Sequence, residues 1–175
     1  MLKDIGGFFK FSIMADFIIR AIRQADNAAV ATVIRTVMTS FDAVGEGFSI
    51  EDPEVDQMYE AYQGSQSAMH VVVGKEGKVM GCGGFAPLIG GDPAICELRK
   101  MYFLTEARGK GLGRKMLEMS LVGAKEAGFK KCYLETLAHM KSARRLYEKA
   151  GFSPLTCSLG NTGHGGCDSY YLIEL

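Results

Sequence analysis

The stretch that decides how this chain reads is Glu97-Leu98-Arg99-Lys100-Met101-Tyr102-Phe103-Leu104-Thr105-Glu106-Ala107-Arg108-Gly109-Lys110-Gly111-Leu112-Gly113. It is a strand that ends near Leu104, then a glycine-punctuated loop, then a helix that starts at once. That helix is expected over 113–127, with Leu117, Leu121 and Ala124 on one side and Gly128 as its stop. A helix N-terminus carries unpaired backbone N–H groups and the positive end of the dipole, so it attracts an anion. Gly109, Gly111 and Gly113 remove side chains that would hold a phosphate away from those groups, while Arg108, Lys110 and Arg114 add positive charge. The predicted ligand is a phosphate or pyrophosphate. The alternative is a plain glycine-rich connection between strand and helix. A P-loop would need GxxxxGK[ST], which is absent, and the glycine spacing is GxGxG, not the GxGxxG of dinucleotide-binding folds.

Working outward, Phe17 to Ile22 is a short β-rich run, and Asp26 or Asn27 offers a cap for a helix whose face is Val30, Val33, Ile34 and Val37. A second helix is predicted to open at Asp52-Pro53 and to bury Val55, Met58, Tyr59 and Tyr62. His70 to Val73 and Val79 to Phe85 read as a hairpin, with Gly81, Gly83 and Gly84 marking a bulge or close backbone approach. Beyond the loop and its helix, Lys131 to Leu137 is strand-like. Ala143, Leu146, Tyr147 and Ala150 trace a short helix closed by Gly151, and Tyr170 to Ile173 is a last strand, with one more near Leu155. The order β-α-α-β-β-β-α-β-α-β, without repeat or linker, implies an α/β or α+β single domain on a mixed sheet.

This pattern resembles the GNAT (GCN5-related N-acetyltransferase) superfamily. Arg108, Gly111 and Gly113 fall on that family's acyl-CoA loop [QR]xxGx[GA]. The run 97–103 is similar to its fourth strand, Leu134-Glu135-Thr136 to its fifth, and Leu146-Tyr147-Glu148-Lys149-Ala150-Gly151-Phe152 to the LYxKxGF signature of its last helix. These motifs span about residues 95–153, and the element order fits from Phe17 to the C-terminus. The resemblance implies a mostly antiparallel sheet of six to seven strands flanked by helices, with the fourth and fifth strands splayed apart. It also implies transfer of an acetyl group from acetyl-CoA to a primary amine, with no metal.

Roles follow from the resemblance residue by residue. Tyr147 would give a proton or hydrogen bond to the departing sulfur, and Glu97 would be the general base, working through water. Backbone groups of Met101 and Phe103 would hold the acetyl carbonyl and pantetheine arm, and Arg108, Gly109, Lys110, Gly111, Leu112, Gly113 and Arg114 the pyrophosphate. Many members carry Asn where this chain has Met140; His139 or Ser142 would stand in for it. Bland alternatives remain: Glu97 as a surface partner of Arg99 or Lys131, and Tyr147 as a core tyrosine. The acceptor is expected to be a small-molecule amine. A protein or peptide amine, or a non-catalytic acyl-CoA-binding module, are the competing readings. The acidic residues between Thr39 and Tyr62, Asp42, Glu46, Glu51, Asp52, Glu54, Asp56 and Glu60, would form a lip for a cationic amine or simply a solvated face. The Gly160 to Gly166 segment, with Asn161, Thr162 and His164, would line the acceptor cleft or be an ordinary loop.

Bulk composition agrees with this class. Hydrophobic residues make 47% and charged residues 23% of 175, enough for one domain with a real core. Twenty basic residues match twenty acidic ones, which argues against nucleic-acid binding through bulk charge. No apolar run is long enough for a membrane span. The five cysteines are odd in number and without CxxC, as in a reduced cytoplasmic protein, and Cys157, His164 and Cys167 fit no zinc spacing. Residues 1–16 read as an extension before a domain over 17–175. The apolar stretch Ile5 to Met14 is broken by Lys10 and is followed by no small-residue cleavage site. A homodimer is compatible with such a fold, although nothing in the sequence fixes it.

Overall fold

The computed structural model describes residues 11–14 and 16–175. Of the N-terminal extension, residues 1–10 and 15, including most of the apolar stretch Ile5 to Met14, lie outside the described residues. The described strands are β1 (Phe11–Met14), β2 (Phe17–Ala21), β3 (Ala68–Val73), β4 (Val79–Pro87), β5 (Ile95–Phe103), β6 (Lys131–Thr136), β7 (Ser153–Leu155) and β8 (Ser169–Glu174). The helices are α1 (Asn27–Thr39), α2 (Met58–Ala61), α3 (Leu112–Glu126) and α4 (Lys141–Lys149). All eight strands form one sheet in the order β1-β2-β3-β4-β5-β6-β8-β7. Every neighbouring pair is antiparallel except β5 and β6, which run parallel because α3 carries the chain back across the sheet between them. The mixed, mostly antiparallel sheet is the expected architecture. Phe11–Met14 adds an edge strand that the sequence pattern did not reveal, pairing Phe11 with Arg20 through Met14 with Phe17.

Two apolar layers sit on opposite faces of the sheet. Val30, Val33, Ile34 and Val37 of α1, the periodic face read from the sequence, pack with Val55, Met58, Tyr62, Val71 and Cys82. Leu117 and Ala124 of α3 and Tyr147 of α4 pack with Phe85, Cys96, Leu98, Cys132, Leu134, Phe152 and Tyr171.

Two aspartates read as helix caps serve elsewhere. Asp26 makes no side-chain cap bond to α1; its carboxylate takes Arg20 at 2.6 and 2.9 Å and the Arg23 N–H at 2.7 Å. The helix predicted from Asp52-Pro53 is a 3-10 turn over Pro53–Gln57 that breaks at Gln57 (φ −134, ψ 41) before the single turn of α2. Asp52 is drawn into a buried ion pair with Lys100, and Asp56 into a bidentate pair with Arg35 at 2.8 Å. These side-chain demands, together with the buried Val55, Met58 and Tyr62, outweigh helical regularity in the segment.

The glycines of β4 are there because neighbours touch them. A Cβ on Gly84 would run into the carbonyl oxygen of Ala68 and lie 2.9 Å from Met69 Cα, both backbone on β3. Opposite Gly83 the register slips: Gly84 faces Arg99 and Cys82 faces Tyr102, so Lys100 and Met101 bulge out of β5. Lys100 takes φ +55 at the bulge.

Gly84→Ala is expected to destabilise the fold by about 3 kcal/mol or more, because backbone cannot move aside as a side chain can. Gly165→Ala, where nothing lies within 4 Å and φ is not positive, is expected to stay within about 0.5 kcal/mol. Urea unfolding of both variants checks the contrast.

Candidate active site

The site is built where β5 and β6 part. Their parallel pairing covers Ile95↔Lys131, Cys96↔Cys132 and Glu97↔Tyr133 and then stops, although β5 runs on to Phe103 and β6 to Thr136. Beyond Glu97 the β6-facing backbone groups of β5 have no strand beside them. Leu104 N–H donates to Met80 O on the β4 side at 2.9 Å. Alternation therefore turns the N–H groups of Phe103 and Met101 towards the opening. The Arg108 Nε–H, donating to Phe103 O at 2.9 Å, approaches from that same side.

Two cavities meet at this divergence. The larger, about 480 Å³, is lined along one wall by Met101, Phe103, Arg108, Gly109, Gly111, Leu112 and Gly113. Its other wall comes from the start of α4, where Ser142 and Tyr147 line it. The smaller, about 70 Å³, reaches Glu97, Arg99, Ser49, Glu135 and His164. Met101, Tyr102, Met140, Ala143 and Tyr147 line both, so they form the boundary between the two.

Along one wall of the larger cavity, the loop before α3 is shaped for an anion. Gly109 and Gly111 have φ of +71 and +77, and Gly111 caps α3 in the left-handed conformation. Gly113 lies where a Cβ would be 3.4 Å from Leu146. Among the described residues the N–H groups of 109–114 make no backbone hydrogen bond; the first donor to find one is Lys115, to Gly111 O. The cationic side chains are less convergent than the sequence suggests. Arg114 turns along the helix to Glu118 at 2.9 Å, Lys110 lies over the Phe17 ring, and Arg108 lies over the Phe41 ring. Lys110 and Arg114 do not line the cavity.

Tyr147 is buried, with rings of Phe152 and Tyr171 at 5.8 and 6.4 Å, so it is a core residue as well. Its hydroxyl has no hydrogen-bond partner among the described residues. Burial, with the nearby Cys132 thiol, raises its phenol well above the ordinary range. Met140 caps α4 and receives the Thr136 hydroxyl on its sulfur at 3.8 Å, while His139 is tied to Phe41 O at 3.0 Å. Ser142 and Lys141 are further polar side chains that line the larger cavity.

On the smaller cavity, Glu97 is not a surface residue. It is 2% exposed and receives Arg99 Nε–H on Oε2 at 2.6 Å, while Oε1 lies 3.7 Å from His164 Nδ1. Because Glu97 and Tyr133 are partners on parallel strands, Arg99 and Glu135, two residues further on, share their face of the sheet. Glu135 Oε1 accepts Tyr133 and Thr162 hydroxyls at 2.9 Å each. Burial raises its carboxyl, the Thr162 and Tyr133 bonds opposing. The acidic stretch from Thr39 to Tyr62 is mostly committed to partners. Asp52 and Glu54 hold Lys100, Asp56 holds Arg35, and Glu60 accepts the Gln24 and Asn27 amides.

Of the Gly160–Gly166 segment, His164 lines the smaller cavity. Gly166 N–H donates to Gly47 O at 3.0 Å, closing the two loops on each other, and His164 Nε2 lies 2.9 Å from Asp52 Oδ2. His164 therefore faces Asp52 and Glu97 rather than a ligand set with Cys157 and Cys167. Among the described residues no group of three or more His, Cys, Asp or Glu could hold a metal ion. Sequence reasoning missed Glu135, Ser49, Tyr102 and Lys100 as site residues. Glu135 was findable, since period-two alternation puts it on the face of Tyr133 once the β5–β6 register is known.

A sheet whose two central parallel strands splay open over an anion-shaped loop defines the fold of acyl-CoA-dependent acetyltransferases. Residues 35–152 match the model of the Acetyltransferase (GNAT) family. The chain is 45% identical over 159 residues to the uncharacterized N-acetyltransferase YjgM of Escherichia coli strain K12, covering 90% of this chain and 95% of that one. Among solved structures, an acetyltransferase of the GNAT family from Staphylococcus aureus Mu50 superposes with a TM-score of 0.78 at 17% identity, over 90% of this chain and 98% of that one. The structure of yncA from Salmonella typhimurium with its cofactor acetyl-CoA gives 0.73 at 21% identity, over 91% and 94%. The chain belongs to the GNAT family and is an acetyltransferase. No helix among the described residues is long and apolar enough to cross a membrane.

His164 carries a pH-dependent share of stability. Burial works against its charge, but the hydrogen bond to Asp52 and the nearby Glu97 carboxylate outweigh it and push its pKa up to about 9 from 6.5. A raised folded pKa contributes stability that is complete below pH 6.5 and lost as pH rises through 9. Relative to His164→Gln, the wild type is expected to lose on the order of 1–2 kcal/mol across that window, after allowing for solvent screening. Urea unfolding at pH 6 and pH 9.5 measures it.

Proposed function

We infer that this acetyltransferase moves the acetyl group of acetyl-CoA to the primary amine of a small molecule. The observation that carries this reading is the junction of the two cavities at Met101 and Tyr147. One cavity ends on a loop of unpaired N–H groups suited to a pyrophosphate, and the other on the buried carboxylate of Glu97. Acetyl-CoA is a substrate here, and the glycine-lined loop fits its phosphates without side-chain obstruction. The yncA structure solved with acetyl-CoA, of like fold, adds support.

The residues divide the work by position. The N–H groups of Met101 and Phe103, turned to the opening, would bind the acetyl carbonyl and pantetheine amides and stabilise charge on the carbonyl oxygen as it develops. Arg108, Gly109, Lys110, Gly111, Leu112, Gly113 and Arg114 would hold the pyrophosphate, chiefly through backbone; Lys110 and Arg114 contribute field rather than contact. Ser142 would take the place of the family's asparagine against pantetheine. An alkyl amine is protonated at neutral pH, so a base must take its proton before it attacks. Glu97, directly or through water, is that base. Tyr147, whose hydroxyl lacks a protein partner, would donate a hydrogen bond to the sulfur as it leaves.

The acceptor side favours a cation. Arg99 is paired with Glu97 and Lys100 with Asp52 and Glu54, so the lining cations are matched. Glu135 Oε2 has no partner among the described residues. The volume of about 70 Å³ suits a small aliphatic or aromatic amine better than a peptide chain. The five unpaired cysteines fit a reducing compartment, and the cytoplasm is the proposed location.

Saturating acetyl-CoA, at about 100 times its Kd, is expected to stabilise the protein by about 2.7 kcal/mol, raising Tm by several degrees, while NAD and ATP do not. No shift at millimolar acetyl-CoA would overturn the ligand assignment. Tyr147→Phe should keep the acetyl-CoA shift and lose about 100-fold in kcat, read as release of CoA thiol with a panel of small amines. Unchanged turnover would remove Tyr147 from the mechanism.

A further inference from the structure

We propose that His164, anchored by Asp52, is the positioning residue that orients the Glu97 carboxylate in the acceptor cavity and locks the 156–168 loop over it. The proposal rests on the reading of Glu97 as the base. Glu97 comes from the apex of the β5–β6 divergence, Asp52 from the loop before α2, and His164 from the loop between β7 and β8. Three segments far apart in sequence thus meet through one imidazole. Nε2 lies 2.9 Å from Asp52 Oδ2, and Nδ1 lies 3.7 Å from Glu97 Oε1, a contact of charge rather than a hydrogen bond.

The geometry leaves Glu97 in need of such a partner. Arg99 occupies Oε2, and without a second contact the carboxylate would rotate about that single tie, carrying Oε1 away from the acceptor. An imidazolium facing Oε1 fixes that rotation. The support continues outward. Asp52 is itself held by Lys100, whose side chain is 1% exposed and rises from the bulge at φ +55. The loop bearing His164 is pinned on both sides, by Gly166 N–H to Gly47 O and by the Thr162 hydroxyl to Glu135 Oε1. Both closures are tight. A Cβ on Gly47 would lie 2.9 Å from Gly166 N, and one on Gly166 would lie 2.6 Å from the Phe48 ring. Asp52 and Glu97 raise the charge on His164, and the other titratable groups around it are Glu135, Lys100 and Arg99 behind the carboxylates, and Cys167 on its own loop.

The test uses the full chain labelled with ¹⁵N-histidine, in which His70, His139 and His164 are the only imidazoles. His164→Gln identifies the His164 signals by their loss. Glu97→Gln is expected to lower the His164 midpoint by about one pH unit or more, since an opposite charge within a few ångströms is removed. With the best amine of the panel, His164→Gln is expected to lose about tenfold or more in kcat while KM for acetyl-CoA and the acetyl-CoA melting shift stay at wild-type values. An unmoved midpoint in Glu97→Gln overturns the proposal. So does wild-type kcat in His164→Gln when Glu97→Gln is inactive, an outcome that leaves Glu97 as the base. Full turnover in Glu97→Gln removes the base assignment, and the positioning role falls with it.

Discussion

Everything at the site depends on a ladder that ends early. β5 and β6 are hydrogen-bonded neighbours only as far as Glu97 and Tyr133; beyond that β5 keeps only β4 beside it and β6 only β8. A strand that loses its neighbour must satisfy its N–H and C=O groups otherwise, because unpaired buried backbone is costly. Here the opening turns that cost into a binding surface. The exposed edge of β5 faces a cleft floored by the α3 loop and walled by α4, and the last paired residue holds the carboxylate.

The smaller cavity is organised by charge rather than by apolar packing. Glu97, Arg99, Lys100, Asp52, Glu54 and His164 are buried or half-buried and form a continuous set of pairs. Desolvating so many charges gains little net stability, and an apolar core of the same shape would do as well. What such a set provides is direction. Removing one member leaves its neighbours uncompensated, so the loops carrying Asp52 and His164 have one favourable arrangement over the cavity.

Periodic and local features were legible in the sequence. The face of α1, the α3 loop, the glycines of β4 and the α4 signature were each encoded within a few residues, and local physics sufficed to read them. Features set by partners distant in sequence were not. Asp26 and Asp52 have the residue type and position of helix caps, yet Arg20 and Lys100 claim them. Lys100 takes a left-handed φ without being glycine, at a bulge opposite Gly83 on the neighbouring strand, where Met101 packs close against the glycine. Phe11–Met14 pairs with β2 although no glycine or proline separates the two strands in the sequence. The wall formed by His164 was suspected from its loop, but its partners lie 112 residues away for Asp52 and on β5 for Glu97.

The brevity of the β5–β6 ladder has a mechanical side. Three residue pairs join the leaf made of β1 to β5 to the leaf made of β6, β8 and β7, whereas the β3–β4, β4–β5 and β6–β8 ladders each span six. The short seam lies under the proposed reaction centre, with α3 strapped across it as the covalent tie between the leaves. Such a joint concentrates compliance in one line. A small rotation of one leaf against the other widens or narrows the wedge while leaving each leaf intact. The wedge can thereby change its width without any helix unfolding.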